Sequence, residues 1–275
     1  MTDEATVFVP GHITGFFTIS EDDDPTKAGS QGAGLALSDG VTVTVQAADE
    51  RAVYLDDTSI EVESVERVLD ALNANVLVDA ESDLPLGAGF GVSGALALGA
   101  AIATNRVLGR ALSENELITI AHGAEVQAGT GLGDVVAQAK GGIPIRLEPG
   151  GPQHNTLDAV PSRARVEYLN YDELSTESVL DERGEQLNSA GEKALSLLVQ
   201  EPTLSSFIYA SRGFAREAEL LTPRVATVID DVSDTGGQAS MAMLGETVFA
   251  LGTGLSDAGY EPESCSTYPA GVVFQ

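Results

Sequence analysis

The chain has 275 residues, 43% of them hydrophobic, with 42 acidic against 14 basic side chains for a net charge of −28. That length and apolar content exclude a disordered chain and suit one large domain or two smaller ones. The charge excludes recognition of nucleic acid through a basic face, and it predicts a high-salt medium, like the cytosol of salt-loving archaea, where screening relieves self-repulsion.

The acidic first 17 residues carry no basic segment ahead of an apolar run, so no secretory signal is expected. The longest apolar run, around 94–103, is about half the ~20 residues that span a bilayer. A soluble, cytoplasmic protein without membrane partners is expected. The lone Cys265 rules out an intrachain disulfide.

In chain order, residues 6–9 read as a short strand cut by Pro10-Gly11. Residues 35–37 and 41–46 read as a hairpin turning at Asp39-Gly40. Over 59–73, Ile60, Val62, Val65, Val68, Leu69 and Leu72 recur at helical spacing. Residues 96–108 predict a buried small-residue helix, and Ser113-x-x-Glu116 is a capping box opening a helix toward Gln127. A strand is expected at 143–147, followed by a loop-rich boundary at 148–162. Beyond it come a strand at 164–170, helices at 189–199 and 203–221, a strand or short helix at 224–231, and a second glycine cluster leading to a closing strand. The mixture predicts an α+β fold in two halves, 1–155 and 156–275.

The segment 84–105 raises the functional question. Gly89-x-Gly91-x-x-Gly94 satisfies the bare dinucleotide fingerprint, and Glu114 follows 20 residues later. Yet Asp83-Leu84-Pro85 interrupts a strand before the glycines, Glu114 opens a capped helix, and no βαβ alternation follows. No glycine-lysine pair is present for a P-loop. What remains is a phosphate cradle: glycines at 87, 89 and 91 admit an anion to the backbone, and the helix starting near Val92 directs free N–H groups toward it.

Pro85-x-Gly87-Ala88-Gly89-Phe90-Gly91-Val92-Ser93-Gly94-Ala95 resembles the second motif of the GHMP small-molecule kinases, with valine in place of its first serine. Pro10-Gly11-His12 is similar to their first motif, with histidine for lysine, and the cluster at 235–240 looks like their third. Segments 10–19, 27–34 and 121–146 together are similar to the archaeal pantoate kinase branch of that family.

The resemblance implies an S5-like N-terminal domain and a ferredoxin-like C-terminal one. Between them ATP is expected over residues 85–94, with Mg²⁺ held by Ser93 and Glu125, and Asp134 is expected as base or hydroxyl-orienting group. It further implies an acceptor of the hydroxy-acid class, pantoate before homoserine or mevalonate, and a homodimer. For the acceptor, Arg146 suits a carboxylate, Ser30 and His122 suit its hydroxyls, and Phe16-Phe17 offer an apolar wall. An NAD(P)-dependent oxidoreductase and a non-catalytic binding protein are the rival readings.

Overall fold

Two strands of unusual length organise the first half of the computed structural model. β1 (Glu4–Phe17) and β2 (Gly32–Ala47) run antiparallel from Glu4 opposite Gln46 to Phe17 opposite Gly32. The expected break at Pro10-Gly11 and the expected hairpin at Asp39-Gly40 are both corrected by this pairing. Pro10 lies opposite Gly40, and the register slips between Pro10 and His12, so the two breakers share one bulge. Gly40 stays extended instead of taking the left-handed φ of a tight turn. The bend turns the far ends of both strands, with His12 and Thr14, toward the later site.

The structure describes residues 3–171, 176–243 and 245–275, with backbone alone over 176–183. After β2 come β3 (Ala52–Leu55), β4 (Thr58–Ser59), α1 (Glu63–Ala71) and β5 (Val76–Ser82). β5 was not expected, and it does place a strand ahead of the glycine loop. It pairs antiparallel with β2 and parallel with β3. The helix that follows the loop therefore does not join two neighbouring parallel strands in the manner of a dinucleotide fold.

α2 (Val92–Val107) is buried nearly all round, as its run of alanines and leucines requires, and packs on β1 and β2. α3 (Glu114–Ala128) begins at the full Ser113/Glu116 capping box, so Glu114 faces the helix dipole as a first-turn acid. α4 (Asp134–Lys140) and β6 (Pro144–Glu148) follow, with β6 pairing both β2 and β7 (Thr156–Ala159).

The second sheet has the order β11 (Glu263–Ser266), β8 (Arg165–Asn170), β10 (Thr247–Leu251), β9 (Ala239–Ala242), all antiparallel. Helices α5 (Thr176–Gln200), α6 (Leu204–Glu217) and α7 (Pro223–Asp234) lie between β8 and β9 in the chain, and the short α8 (Gly254–Asp257) follows β10. The ambiguous segment 224–231 is thus helical: Thr222 caps it by accepting from the Val225 N–H, with Pro223 in its first turn.

The two sheets are joined where catalysis is expected. α6 packs on both β1 and β9, and the Met243 N–H donates to the Thr14 carbonyl at 2.9 Å. The chain then returns to the first sheet, where β12 (Val273–Phe274) pairs with the edge of β1. No helix among the described residues is long and apolar enough to cross a membrane.

Candidate active site

The glycine loop leaves β5 and enters α2 through three left-handed residues, Gly87, Gly89 and Gly91, at φ 83°, 84° and 66°. An L side chain resists that conformation, so the loop's course depends on glycine at these places. Gly91 occupies the cap of α2 and brings no side-chain acceptor, so the first-turn N–H groups stay free for an anion. Two anchors hold the loop. The Thr247 hydroxyl donates to the Ala88 carbonyl at 2.9 Å from the second sheet, and the Gln138 amide donates to the Gly91 carbonyl at 2.8 Å from α4.

Above the loop lies a cavity of about 500 Å³. Gly87, Gly89, Gly91, Val92, Ser93 and Gly94 line it, while Ala88 is buried behind the wall and Pro85 is exposed outside it. From the other elements the cavity receives Glu125, Asp134, Arg146 and Ser30. Residues more than a hundred positions apart thus face one volume.

Ser93, in the first turn of α2, donates to Glu125 Oε1 at 2.5 Å, and the Ser64 hydroxyl lies 3.3 Å from that of Ser93. Glu125 is buried, and burial pushes its carboxyl above the usual range against hydrogen bonds from Ser64, Ser93 and Thr130. Among the described residues no group of three histidines, cysteines or acids gathers as a metal cage. A hydroxyl and one carboxylate beside a phosphate cradle fit Mg²⁺, which is usually held by one or two carboxylates plus phosphates and water.

Asp134 opens α4 at the cavity and is tied to a partner that the sequence left undecided. His12 Nδ1 lies 2.7 Å from Asp134 Oδ1, with His12 fully buried and Asp134 about a quarter exposed. Burial pushes the Asp134 carboxyl up, but the His12 hydrogen bond and the positive charge of Arg146 work against it, and the carboxyl lies below its ordinary value. Burial also holds the His12 imidazole below its ordinary value, so the pair stands as carboxylate and neutral ring at neutral pH.

Arg146 projects from β6 into the same volume and is 1% exposed. Its Nε and Nη1 have no hydrogen-bond partner. A Cβ at Gly133 would lie 2.6 Å from Arg146 Nε and 2.4 Å from the Ser30 hydroxyl, so guanidinium and hydroxyl converge on one point beside Asp134. A buried cation with unused donors destabilises the free protein unless an anion meets it.

His122 behaves differently. Its Nε2–H donates to the Ala28 carbonyl at 2.9 Å, two residues before Ser30, and it does not line the cavity. Of the aromatic pair, Phe16 is core, packed near Phe207, and Phe17 reaches the cavity wall. Lys27 is exposed near Asp24, His154 is exposed, and the cluster at 235–240 takes no part in the wall.

The matched family falls on this machinery. Residues 60–142 match the model of the GHMP kinases N terminal domain, from just before α1 to the turn after α4. The chain is 34% identical to the pantoate kinase of Methanocaldococcus jannaschii over 89% of its own length and 92% of that protein's. It is 33% identical to that of Thermococcus kodakarensis over 89% and 86%. A solved structure described as a phosphotransferase related to the CoA biosynthesis pathway superposes with a TM-score of 0.89, at 29% identity and 99% and 98% coverage. Mevalonate-3-kinase of Thermoplasma acidophilum shares the fold at a TM-score of 0.70 and 13% identity, over 99% and 98%. The fold is therefore that of the GHMP kinases, a class of ATP-dependent phosphotransferases. Within that class, identity of about a third over nine-tenths of the sequence decides the matter, and the chain belongs to the pantoate kinase family.

Proposed function

We propose that this protein transfers the γ-phosphoryl group of ATP to the primary hydroxyl of pantoate, giving 4-phosphopantoate and ADP, from a site made of the residues just described. The observation that carries the acceptor class is the Arg146 guanidinium, buried with two donors unused and converging with Ser30 beside Asp134. A planar fork of that kind suits a carboxylate, and a hydroxy acid bound there presents its hydroxyl toward Asp134. The pantoate kinase relatives narrow the acid to pantoate over homoserine or mevalonate.

In this reading the free N–H groups at the start of α2 and the backbone of 87–91 receive the phosphates. Mg²⁺ held by Ser93 and Glu125 supplies charge neutralisation at the phosphates when bound. Asp134 Oδ1 is engaged by His12, which leaves Oδ2 for the acceptor hydroxyl. As the hydroxyl oxygen bonds to Pγ and the bond from Pγ to the ADP oxygen breaks, the hydroxyl proton passes to Oδ2 and is released to solvent afterwards. Phe17 covers the apolar part of the acceptor. His122 acts from behind the wall, keeping the Ala28–Ser30 backbone in place through the Ala28 carbonyl.

A two-domain division near residue 155 belongs to the same proposal. Strands β7 and β12 lie beyond that point in the chain but pair within the first sheet. An ADP-release assay with pantoate, homoserine and mevalonate tests the acceptor. Pantoate is expected to be preferred in kcat/KM, and preference for either alternative overturns the assignment.

A further inference from the structure

His12 stands where the related motif carries a lysine, and its surroundings are unusual for a titratable group next to a reacting carboxylate. One side of the ring is engaged: Nδ1 meets Asp134 Oδ1 at 2.7 Å, with the Thr14 hydroxyl farther off at 3.4 Å. The other side is closed. Nε2 is buried without a hydrogen-bond partner, and the ring edge lies against the backbone of β2. A Cβ at Gly34 would fall 2.3 Å from Nε2 and 2.7 Å from Cε1.

This geometry fixes the proton. A proton on Nε2 has no acceptor and no water-sized space, whereas a proton on Nδ1 has a carboxylate oxygen. The charged groups that act on the ring are Asp134, which favours protonation, and Arg146, which opposes it.

We propose that His12 is a positioning residue for Asp134: a permanently neutral Nδ1–H donor that orients the carboxylate and, with Nε2 sealed by Gly34, does not carry the proton onward. A neutral donor aims Oδ2 at the cavity without the charge of a lysine, which would make Asp134 a weaker base. The proton taken from the acceptor hydroxyl therefore leaves by Oδ2 and the cavity, not through the histidine. The inference rests on Asp134 facing the acceptor, as proposed above. The state of the ring is read without substrate, so the two readings fail separately.

The test uses nitrogen-15 NMR of the imidazole in the intact protein and two variants. In the wild type the Nδ1–H tautomer is expected, unchanged from pH 8 to pH 6. An Nε2–H tautomer, or an imidazolium at pH 7, overturns the proposal. His12→Ala is expected to lower kcat about 10- to 100-fold, the usual loss when a partner that orients a reacting group is removed. KM for ATP should hold, and the acid limb of kcat against pH should move toward neutrality as Asp134 loses its donor. His12→Asn places an uncharged amide donor near the position of Nδ1 and is expected to recover most of kcat and return the limb. Unchanged kcat and limb in His12→Ala, or a folded His12→Asn no better than His12→Ala, overturns it. If His12→Ala fails to fold, His12→Asn against the wild type and the NMR tautomer decide.

Discussion

Two buried charged groups in this molecule are treated in opposite ways. Glu167 on β8 is fully buried, and its carboxylate is satisfied from several sides: the N–H groups of Leu255 and Ser256, the Ser256 hydroxyl and Arg165 Nη2, at 2.8–3.2 Å. Arg146 on β6 is as deeply buried, yet its Nε and Nη1 meet nothing. The first arrangement closes on itself and fixes α8 to the second sheet. The second is left open toward a cavity that also holds Ser30, Glu125, Asp134 and the start of α2. Burial alone does not separate structure from function here; the count of unmet donors does.

Asp134 stands beside Arg146 in the open cluster. Asp134→Asn keeps the shape and removes the proposed base, so kcat for ADP release should fall about 10²- to 10⁴-fold, the usual span for a positioned acid or base. Glu167→Ala should leave the acceptor KM untouched and lower stability by about 3 kcal/mol, the upper range for hydrogen bonds to a charged group. Arg146→Ala should do the reverse. Its acceptor KM should rise by the equivalent of ~1.5–3 kcal/mol while the KM for ATP holds. Its melting temperature should fall by less than that of Glu167→Ala, because the buried cation that is removed carries two unmet donors. Denaturation midpoints and steady-state constants on both variants check this crossed pattern. A destabilised Arg146→Ala with normal KM would make the two clusters alike.

How much of this was legible in the sequence follows from how local each signal is. The Ser113/Glu116 box, the alanine-rich α2 and the glycine loop are short-range patterns, and all appear where expected. Asp39-Gly40 misled because a turn signal also serves a bulge, and only its partner, Pro10-Gly11 some 30 residues earlier, distinguishes the two. Strand β5 was missed, and with it one argument against a dinucleotide loop; the antiparallel β2–β5 pairing now carries that exclusion. Ser93, Glu125 and Asp134 could be listed from the family resemblance, Arg146 and Ser30 from their own chemistry, and the fold brings all five to one cavity. That His12 touches Asp134 across 122 positions could not be seen, although histidine in place of the motif lysine was the signal to follow. The withdrawal of His122 behind the wall depends on the Ala28 carbonyl, which no side-chain pattern announces.

The same two regions should differ in their response to acid, by a smaller amount. His12 and His122 are both held below the ordinary histidine value, burial being the larger cause in each. Below about pH 6.5 the unfolded chain binds protons at these positions that the native state refuses, so stability is lost as pH falls from 6.5 toward the native values. Each histidine contributes at most ~1.4 kcal/mol per pH unit within that window. Glu125 acts the other way. Its raised carboxyl binds a proton in the native state before the unfolded chain does, so it adds stability as pH falls toward its ordinary value near 4.5. Glu125 therefore offsets part of the loss that the two histidines cause between pH 6.5 and 5. Glu125→Gln removes the opposing contribution and should steepen the acid loss of melting temperature. His122→Asn, which spares the His12–Asp134 pair, should flatten it. Asp134, held below its ordinary value, loses its contribution only below about pH 4 and stays outside the window. A melting temperature flat from pH 7 to 5 in both the wild type and Glu125→Gln would show that the histidines are not held neutral. The sealed ring at His12 would then have to be abandoned along with them.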